Sequence, residues 1–249
     1  MATNTESSHY GIRLPQELIL LREQIRRFMR EEVKPIEDKL PHDALGCMPE
    51  DRRHLRDIAE QMGLTRLTVP EEYGGNPVSS MARVIIAEES AKCRLGAYAP
   101  ALGAFGGGPP NIIWAGTEQQ IEKYGIPAVE GRAGAFVAIT EPTGGSDPRN
   151  NIQTRAVQKG ENWILNGRKM WITGAKAATY GIIFARTDDG AEGQPPQITA
   201  FIVEPGFAGI SFNEIPVIRA LSPYEILLDN CEVPAENVLG KVGEGFNVA

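Results

Sequence analysis

The hydrophobic pattern of this chain changes its period once, close to Gly134. Before that point apolar residues recur at helical spacing. After it the chain consists of short segments rich in β-branched and aromatic residues, separated by glycine, proline, asparagine and aspartate. Such a change predicts two kinds of structure in succession. We therefore expect an α+β chain, with an N-terminal α-helical domain followed by a β-barrel or β-sandwich.

The helical half contains clear helix starts. Proline followed by two acids at Pro49–Asp51 favours a first helical turn, because proline fits there and the acids lie at the positive end of the helix dipole. Ser79 or Ser80 is placed to cap a helix, and Thr117 with Gln120 forms a capping box. These signals predict helices that begin next to each of these positions.

In the β-rich half the strongest turn signal is Asn166-Gly167. A type I′ hairpin needs positive φ at both central residues, and this dipeptide supplies it most easily. The turn would separate the segment WIL from the segment KMWIT.

Charge and composition limit the classes of partner. The chain has 249 residues, 42% of them hydrophobic, and a formal net charge of −7. No dense cluster of Lys and Arg is visible, so nucleic-acid binding is not expected. No apolar run approaches the length of a membrane span, and the N-terminus has no signal-peptide core. Three widely spaced cysteines fit a reducing compartment. We expect a cytoplasmic protein without a membrane partner.

Spacing also excludes several common sites. Neither of the two glycine-rich phosphate-binding motifs is present. The three histidines and three cysteines form no HExxH or CxxC pattern, so no metal site is expected. Gly144–Pro148 resembles a nucleophile elbow, but its last residue is proline, and every histidine precedes Ser146, contrary to the order in α/β-hydrolases. A serine hydrolase is therefore not expected.

Two segments together suit a flat cofactor. Ile139–Asp147 runs from a strand into a glycine-rich turn, which exposes main-chain N–H groups without obstruction by Cβ. Gly167–Gly174 contains an indole against which a fused ring can pack. Thr140, Ser146 and Thr173 add hydroxyl groups. Taken singly, the first is more simply an ordinary connection and the second a core hairpin arm. Together they predict a cofactor-binding wall without naming the cofactor.

Longer stretches of the chain resemble a known family. They are VPEEYGG (69–75), AGTEQQIEKY (115–124), GAFVAITEPTGGSD (134–147), LNGRKMWITG (165–174), FARTD (184–188), ITAFIVE (198–204) and VPAENVLGKVGEGF (233–246). In order and spacing they resemble the acyl-CoA dehydrogenase family from about Leu14 to Ala249. The resemblance implies an N-terminal helical domain (1–133), a middle β-barrel domain (134–240) and, at 241–249, the start of a C-terminal four-helix bundle.

The cofactor that this resemblance implies is FAD, bound between the middle and C-terminal domains. Its contacts carry over to Val137, Ala138, Ile139, Thr140, Gly145 and Ser146 in the first segment, and to Trp171, Ile172 and Thr173 in the second. Ser146 is also the position that touches the CoA part of the substrate. Phe105 lies where the family places its acyl-lining helix. The glycines at 106–108 that follow it indicate either a widened acyl pocket for a bulky group or a plain surface loop.

Family members remove the α-proton of an acyl thioester with a carboxylate, while the β-hydrogen leaves as hydride to the flavin, which yields a 2-enoyl-CoA. No glutamate here matches the base, since Glu141 has a structural place in the family motif, and the base is expected beyond Ala249. The resemblance thus implies an FAD-dependent enzyme of fatty acid metabolism whose 249 residues alone are inactive.

An electron-transferring flavoprotein is the partner that the resemblance implies. When complete, the protein is expected to be a homodimer or homotetramer. The alternatives are a non-catalytic or heteromeric subunit and an oxygen-using flavoprotein of the same fold.

Overall fold

The described residues form two units in sequence order. The computed structural model describes residues 8–9, 12–44, 46–96, 99–105, 108–191, 193–218 and 222–248. Its contacts divide the chain into Met1–Gly107, which is mainly helical, and Gly108–Ala249, which is built on a mixed β-sheet. This order of helices and sheet confirms the predicted α+β class. None of the helices in the described ranges is long and apolar enough to cross a membrane.

The first unit packs short amphipathic helices around one apolar core. Its elements are β1 (Ser8–His9), β2 (Ile12–Arg13), α1 (Gln16–Phe28), a π-helical turn (Met29–Val33), α2 (Lys34–Glu37), α3 (Pro49–Gln61), a 3-10 turn (Glu71–Tyr73), α4 (Ser80–Ser90) and a second 3-10 turn (Pro100–Gly103). The core includes Ile25, Phe28, Leu55, Ala59 and Leu102. Apolar residues at helical spacing supply these side chains, as the sequence predicts.

The predicted helix starts are confirmed. Helix α3 begins at Pro49, and the Ser79 hydroxyl accepts a hydrogen bond of 3.2 Å from the Ala82 N–H at the start of α4. Thr117 and Gln120 form the reciprocal capping box, with both hydrogen bonds present. Each signal depends on residues within one helical turn, so local sequence was enough to find it.

The second unit contains an eight-stranded sheet flanked by short helices. The helical elements are a 3-10 turn (Asn111–Ala115), α5 (Glu118–Gln120), a π-helical turn (Ile121–Gly125), α6 (Ile126–Val129), α7 (Pro148–Asn151) and 3-10 turns at Ala175–Ala177, Ala235–Asn237 and Gly245–Asn247. The strands are β3 (Ala135–Ala138), β4 (Arg155–Lys159), β5 (Asn162–Thr173), β6 (Tyr180–Asp188), β7 (Gln197–Val203), β8 (Ile210–Glu214), β9 (Pro223–Pro234) and β10 (Val238–Leu239). Their order is β10-β7-β6-β4-β5-β9-β8, with β3 also beside β6.

Strands β3 and β4 share one position in this sheet. Strand β7 pairs with one edge of β6 from Gly181 onward. The other edge of β6 is therefore left for β3, which runs parallel to Tyr180–Ile183, and for β4, which pairs at Arg186. Residues 139–154 leave the sheet between these two strands. The glycine-rich turn lies in this excursion.

The predicted turn at Asn166-Gly167 is wrong. Both residues lie inside β5, and the hairpin between β4 and β5 turns at Gly160–Glu161 instead. The pairing of β5 with β9 shifts register at this point, as in a β-bulge. A Cβ on Gly167 would lie 2.5 Å from the Thr154 hydroxyl oxygen. The glycine thus permits a close approach of two chain segments rather than a reversal of direction.

Residues 108–133 pack with the sheet in this structure. Ile113, Tyr124 and Ala128 share a buried cluster with Tyr180 and Ile182 of β6. The domain boundaries that the resemblance implies, 1–133, 134–240 and 241–249, stay predictions.

Candidate functional site

The two segments predicted to form a cofactor-binding wall lie next to each other. The Met170 N–H of β5 donates a hydrogen bond of 2.9 Å to the carbonyl of Thr140, just after the end of β3. The pairing of β5 with β9 shifts between Lys169 and Ile172, so Met170 and Trp171 form a bulge. The structure therefore brings the start of the glycine-rich excursion against the bulge that contains the tryptophan.

Trp171 presents a large apolar surface outward from this bulge. Its side chain is 55% exposed, and its backbone has φ +62°, in the left-handed region that tryptophan rarely adopts. Ile172 is buried at 4%, whereas Thr173 is exposed again. This alternation places the indole and the Thr173 hydroxyl on the outer side of the strand.

The glycine-rich turn is held by its own hydrogen bonds. The Gly144 N–H donates to the Glu141 carbonyl at 3.1 Å, and the Asn150 amide donates to both carboxylate oxygens of Asp147 at 2.8 and 3.1 Å. Asp147 has φ +52°. Ser146 is exposed, and a Cβ on Gly144 would meet no atom within 4 Å. The turn is therefore closed by internal hydrogen bonds, and open space lies beside Gly144.

The remaining predicted cofactor residues differ in which atoms they offer. Val137, Ile139 and Thr140 are half-buried, and Gly145 is exposed. Ala138 and Ile172 lie in the core of the sheet, at 0% and 4% exposure. Their side chains point into that core, so main-chain atoms are what these two positions can offer a ligand.

Phe105, predicted to line the acyl pocket, lies in the first unit. Its ring is half-buried and 5.3 Å from the ring of Phe28. It borders an open cavity of about 190 Å³ together with Leu67, Ile86, Ala87, Pro100, Arg66 and Arg83. Of the three glycines at 106–108, the first two lie outside the described residues.

Sequence reasoning missed Lys169. Its side chain is fully buried, and its Nζ lies 2.7 Å from Oε1 of Glu141, itself only 4% exposed. A signal was available, because alternation along β5 from the buried Trp163 and Leu165 places residue 169 on the inner face. A lysine there requires a buried partner. The structural place that the resemblance assigns to Glu141 agrees with this geometry.

Comparison with known families identifies the family to which the chain belongs. Residues 15–132 match the family model "Acyl-CoA dehydrogenase, N-terminal domain", and residues 136–231 match "Acyl-CoA dehydrogenase, middle domain". The chain belongs to the acyl-CoA dehydrogenase family. The predicted resemblance is confirmed. The family is FAD-dependent, and a matched structure is an acyl-CoA dehydrogenase complexed with FAD from Bacillus anthracis, with 30% identity, a TM-score of 0.68 and coverage of 94% of this chain and 40% of that one.

Two curated relatives support the same family assignment. The short-chain specific acyl-CoA dehydrogenase of Clostridium acetobutylicum is 33% identical over 95% of this chain and 61% of its own length. The caffeyl-CoA reductase-Etf complex subunit CarC of Acetobacterium woodii is 34% identical over 86% of this chain and 57% of its own length. The chain thus spans less than two thirds of the relatives it matches.

Among the described residues, no three His, Cys, Asp or Glu side chains are grouped so that they could hold a metal ion. The polar groups that the two segments offer are hydroxyls and main-chain amides. They suit the ring nitrogens and carbonyl oxygens of a flavin, and the exposed indole suits its fused rings.

Proposed function

We propose that the full-length protein is an FAD-dependent acyl-CoA dehydrogenase, which converts an acyl-CoA thioester to the 2-enoyl-CoA. One observation carries the proposal. The hydrogen bond from Met170 to Thr140 joins the two segments whose family counterparts contact the flavin, and it leaves the indole of Trp171 exposed beside them. A strained backbone conformation is common at ligand-binding sites, and an exposed indole there suits a flat ring system.

The chain's own residues would bind and orient the cofactor in two ways. Hydroxyl groups of Thr140, Ser146 and Thr173 would hydrogen-bond to it, and the main chain at Ala138 and Ile172 would add amide contacts. The indole of Trp171 would cover one part of the ring and exclude water from it. When bound, FAD supplies the hydride acceptor for the β-hydrogen of the substrate.

Glu141 is not proposed as the base that removes the α-proton. Its carboxylate is buried and accepts hydrogen bonds from Lys169 and from the N–H groups of Gln153 and Thr154. Burial opposes its ionisation, but the Lys169 ammonium and these donors outweigh burial and lower the pKa of Glu141. A carboxylate so engaged is a poor proton acceptor, and it faces the interior. We place the base beyond Ala249, as in the family.

The proposed substrate contacts are the Ser146 hydroxyl, on the CoA part, and Phe105, on the acyl chain. The proposed electron acceptor is an electron-transferring flavoprotein, which the name of the Acetobacterium woodii relative supports. Assembly as a homodimer or homotetramer, a cytoplasmic location and a role in fatty acid metabolism belong to the same proposal and rest on the family.

A second candidate is a subunit of a heteromeric flavoprotein complex. It is favoured by that same relative, which is named as one subunit of a complex. The chain would then contribute the binding wall at 139–147 and 167–174 to an assembly in which another protein completes the reaction.

The test uses the full-length protein purified under air and then freed of oxygen. We expect visible flavin absorbance after purification and bleaching of that absorbance when a saturated acyl-CoA is added. Absence of flavin, with no uptake of added FAD, would refute both candidates. Bound flavin that acyl-CoA bleaches only after a second protein is supplied would favour the heteromeric subunit.

A further inference from the structure

A buried ion pair fills the gap where β3 ends and β4 has not yet begun. The side chain of Lys169 is 0% exposed and that of Glu141 is 4% exposed, with 2.7 Å between Nζ and Oε1. Removing two charges from water costs free energy that their attraction only partly returns, and an apolar pair of the same size often serves stability equally well. Stability alone therefore does not account for the pair, and the chain segments that the two charges hold in place indicate its role.

Their hydrogen bonds join three separate parts of the chain. Lys169 on β5 donates to the Glu141 carboxylate at 2.7 Å and to the carbonyl of Ile139 at 3.2 Å. The carboxylate also accepts the N–H of Gln153 at 2.6 Å and the N–H of Thr154 at 3.0 Å, just before β4. The end of β3, the approach to β4 and the middle of β5 thus meet at one charged centre.

Two of these three parts are the proposed flavin-binding segments. Thr140 lies between Ile139 and Glu141, both of which are held by Lys169. Met170, the next residue on β5, donates to the Thr140 carbonyl, and Trp171 follows it in the bulge. The ion pair therefore fixes the Thr140 main chain on both sides and anchors β5 two residues before the indole.

We propose that Glu141 and Lys169 are positioning residues of the flavin site, which set the placement of Thr140 relative to Trp171 without touching the cofactor. The proposal rests on the proposed function, since it requires that FAD binds at this place. Binding groups act well only when their neighbours hold them to within a fraction of an ångström. The charged centre supplies that constraint where regular strand pairing is interrupted.

The charge state of the pair agrees with this role. Burial lowers the pKa of Lys169 to about 8, although the neighbouring carboxylate of Glu141 acts to raise it, so the ammonium is the main form at neutral pH. Four hydrogen bonds in fixed directions then converge on two side chains. An apolar pair of equal volume would fill the space but would define no direction.

The chain offers a matched control for this proposal. Glu89 on α4 is a second buried carboxylate, 2% exposed, which pairs with Arg26 at 2.9 Å and Lys92 at 2.7 Å. It belongs to the first unit, whereas the proposed flavin contacts belong to the second. The same substitution, glutamate to glutamine, can therefore be made at both buried carboxylates.

The experiment compares the full-length protein with its Glu141→Gln, Lys169→Met and Glu89→Gln variants. Three quantities are measured: thermal stability without FAD, the dissociation constant of added FAD, and the visible spectrum of the bound flavin. We expect all three variants to lose stability. Only Glu141→Gln and Lys169→Met should weaken FAD binding, by roughly tenfold or more, and alter the spectrum, because loss of about 1.4 kcal/mol of binding contact corresponds to that factor.

A purely structural role predicts a different result. If Glu141→Gln and Lys169→Met lose stability as Glu89→Gln does but bind FAD with unchanged affinity and spectrum, the positioning role is refuted while the proposed function stands. Failure of the unaltered protein to bind FAD would refute the proposed function and this inference with it.

A variant that is too unstable to load with FAD is tested by amide hydrogen exchange of the flavin-free protein. Faster exchange confined to 139–154 and 167–173 supports the role, and uniform acceleration across the second unit refutes it.

Discussion

Phe136 on β3 and Gly181 on β6 are direct partners across the parallel strand pair, and the phenyl ring lies over the glycine. A Cβ on Gly181 would be 2.0 Å from the ring. The ring is 3% exposed and packs in the core of the sheet. This contact seats β3 on β6 immediately before the excursion that contains the proposed flavin contacts.

Gly181→Ala is accordingly expected to destabilise the protein by about 1–3 kcal/mol or more, since the added methyl group forces the ring out of a packed core. Urea unfolding measures the change. Gly206→Ala is the control, because a Cβ there would meet no atom within 4 Å. Equal stability of the two variants would contradict the packing described for Phe136.

Trp171→Ala is expected to weaken FAD binding by roughly tenfold or more, since loss of about 1.4 kcal/mol of ring contact corresponds to that factor. The dissociation constant of FAD is the measurement, and circular dichroism should show an intact fold. Val157→Ala, at a β4 side chain that is 63% exposed, serves as the control for loss of an exposed apolar group. Unchanged FAD binding by Trp171→Ala would remove the indole from the site.

Trp171→Gly separates the indole from the backbone at the same position. The residue has φ +62°, which glycine adopts without the steric cost that Cβ imposes. Without FAD, Trp171→Gly is expected to be more stable than Trp171→Ala by up to about 1 kcal/mol. Both variants should bind FAD equally weakly. Lower stability of the glycine variant would show that this backbone conformation is not retained.

Glu89 should make the stability of the protein depend on pH in the acid range. Burial acts to raise its pKa, but hydrogen bonds from Arg26 and Lys92 outweigh burial and hold the pKa below the usual 4.5. As pH falls, Glu89 is therefore protonated in the unfolded chain before it is protonated in the folded one. Its contribution to the free energy of unfolding is complete above the usual pKa and disappears as pH falls through the pKa of the folded state.

Thermal unfolding at pH values from neutral down to about 3 tests this contribution. Glu89→Gln should be less stable than the unaltered protein near neutral pH by about 2 kcal/mol, and the difference should shrink on acidification. Glu72→Gln, at an exposed carboxyl, is the control. A difference for Glu89→Gln that stays constant with pH would show that its charge contributes nothing.

If the proposed function holds, Phe105→Ala is expected to shift the acyl preference of the full-length protein toward longer or branched chains. The ring borders the cavity of about 190 Å³, and its removal would enlarge that space. The ratio of kcat/KM for a long chain over a short one should rise by roughly tenfold. Val84→Ala, at a side chain of α4 that is 51% exposed, is the control. An unchanged substrate profile would place the acyl chain elsewhere.

Local signals were enough for much of the fold. The starts of α3 and α4 and the capping box at Thr117 follow from residues within one turn of each helix. Asn166-Gly167 misled because both residues continue β5, while the extra residue at this register shift lies on β9, between Leu228 and Cys231. Thr154 is what requires the glycine, because its hydroxyl and main chain leave no room for a Cβ at position 167.

In the candidate site too, some features followed from the sequence and others only from tertiary contacts. Resemblance named the segments 139–147 and 167–174, and strand alternation was able to place Lys169 on an inner face. Neither the resemblance nor the alternation identified Glu141 as the partner of Lys169. Lys169 and Glu141 are 28 residues apart, and they meet because β3 and β4 occupy one sheet position in succession beside β6.

The sequence by itself therefore determined the family and the α+β order and named the two segments of the candidate site, since motifs and periodicity are properties of neighbouring residues. The tertiary structure alone decided that Met170 donates to Thr140, that Trp171 is turned outward and that a buried ion pair lies behind both. Those relationships depend on which strands become neighbours and in which register. Hydrogen bonds and charges act over a few ångströms of space, whatever the separation along the chain.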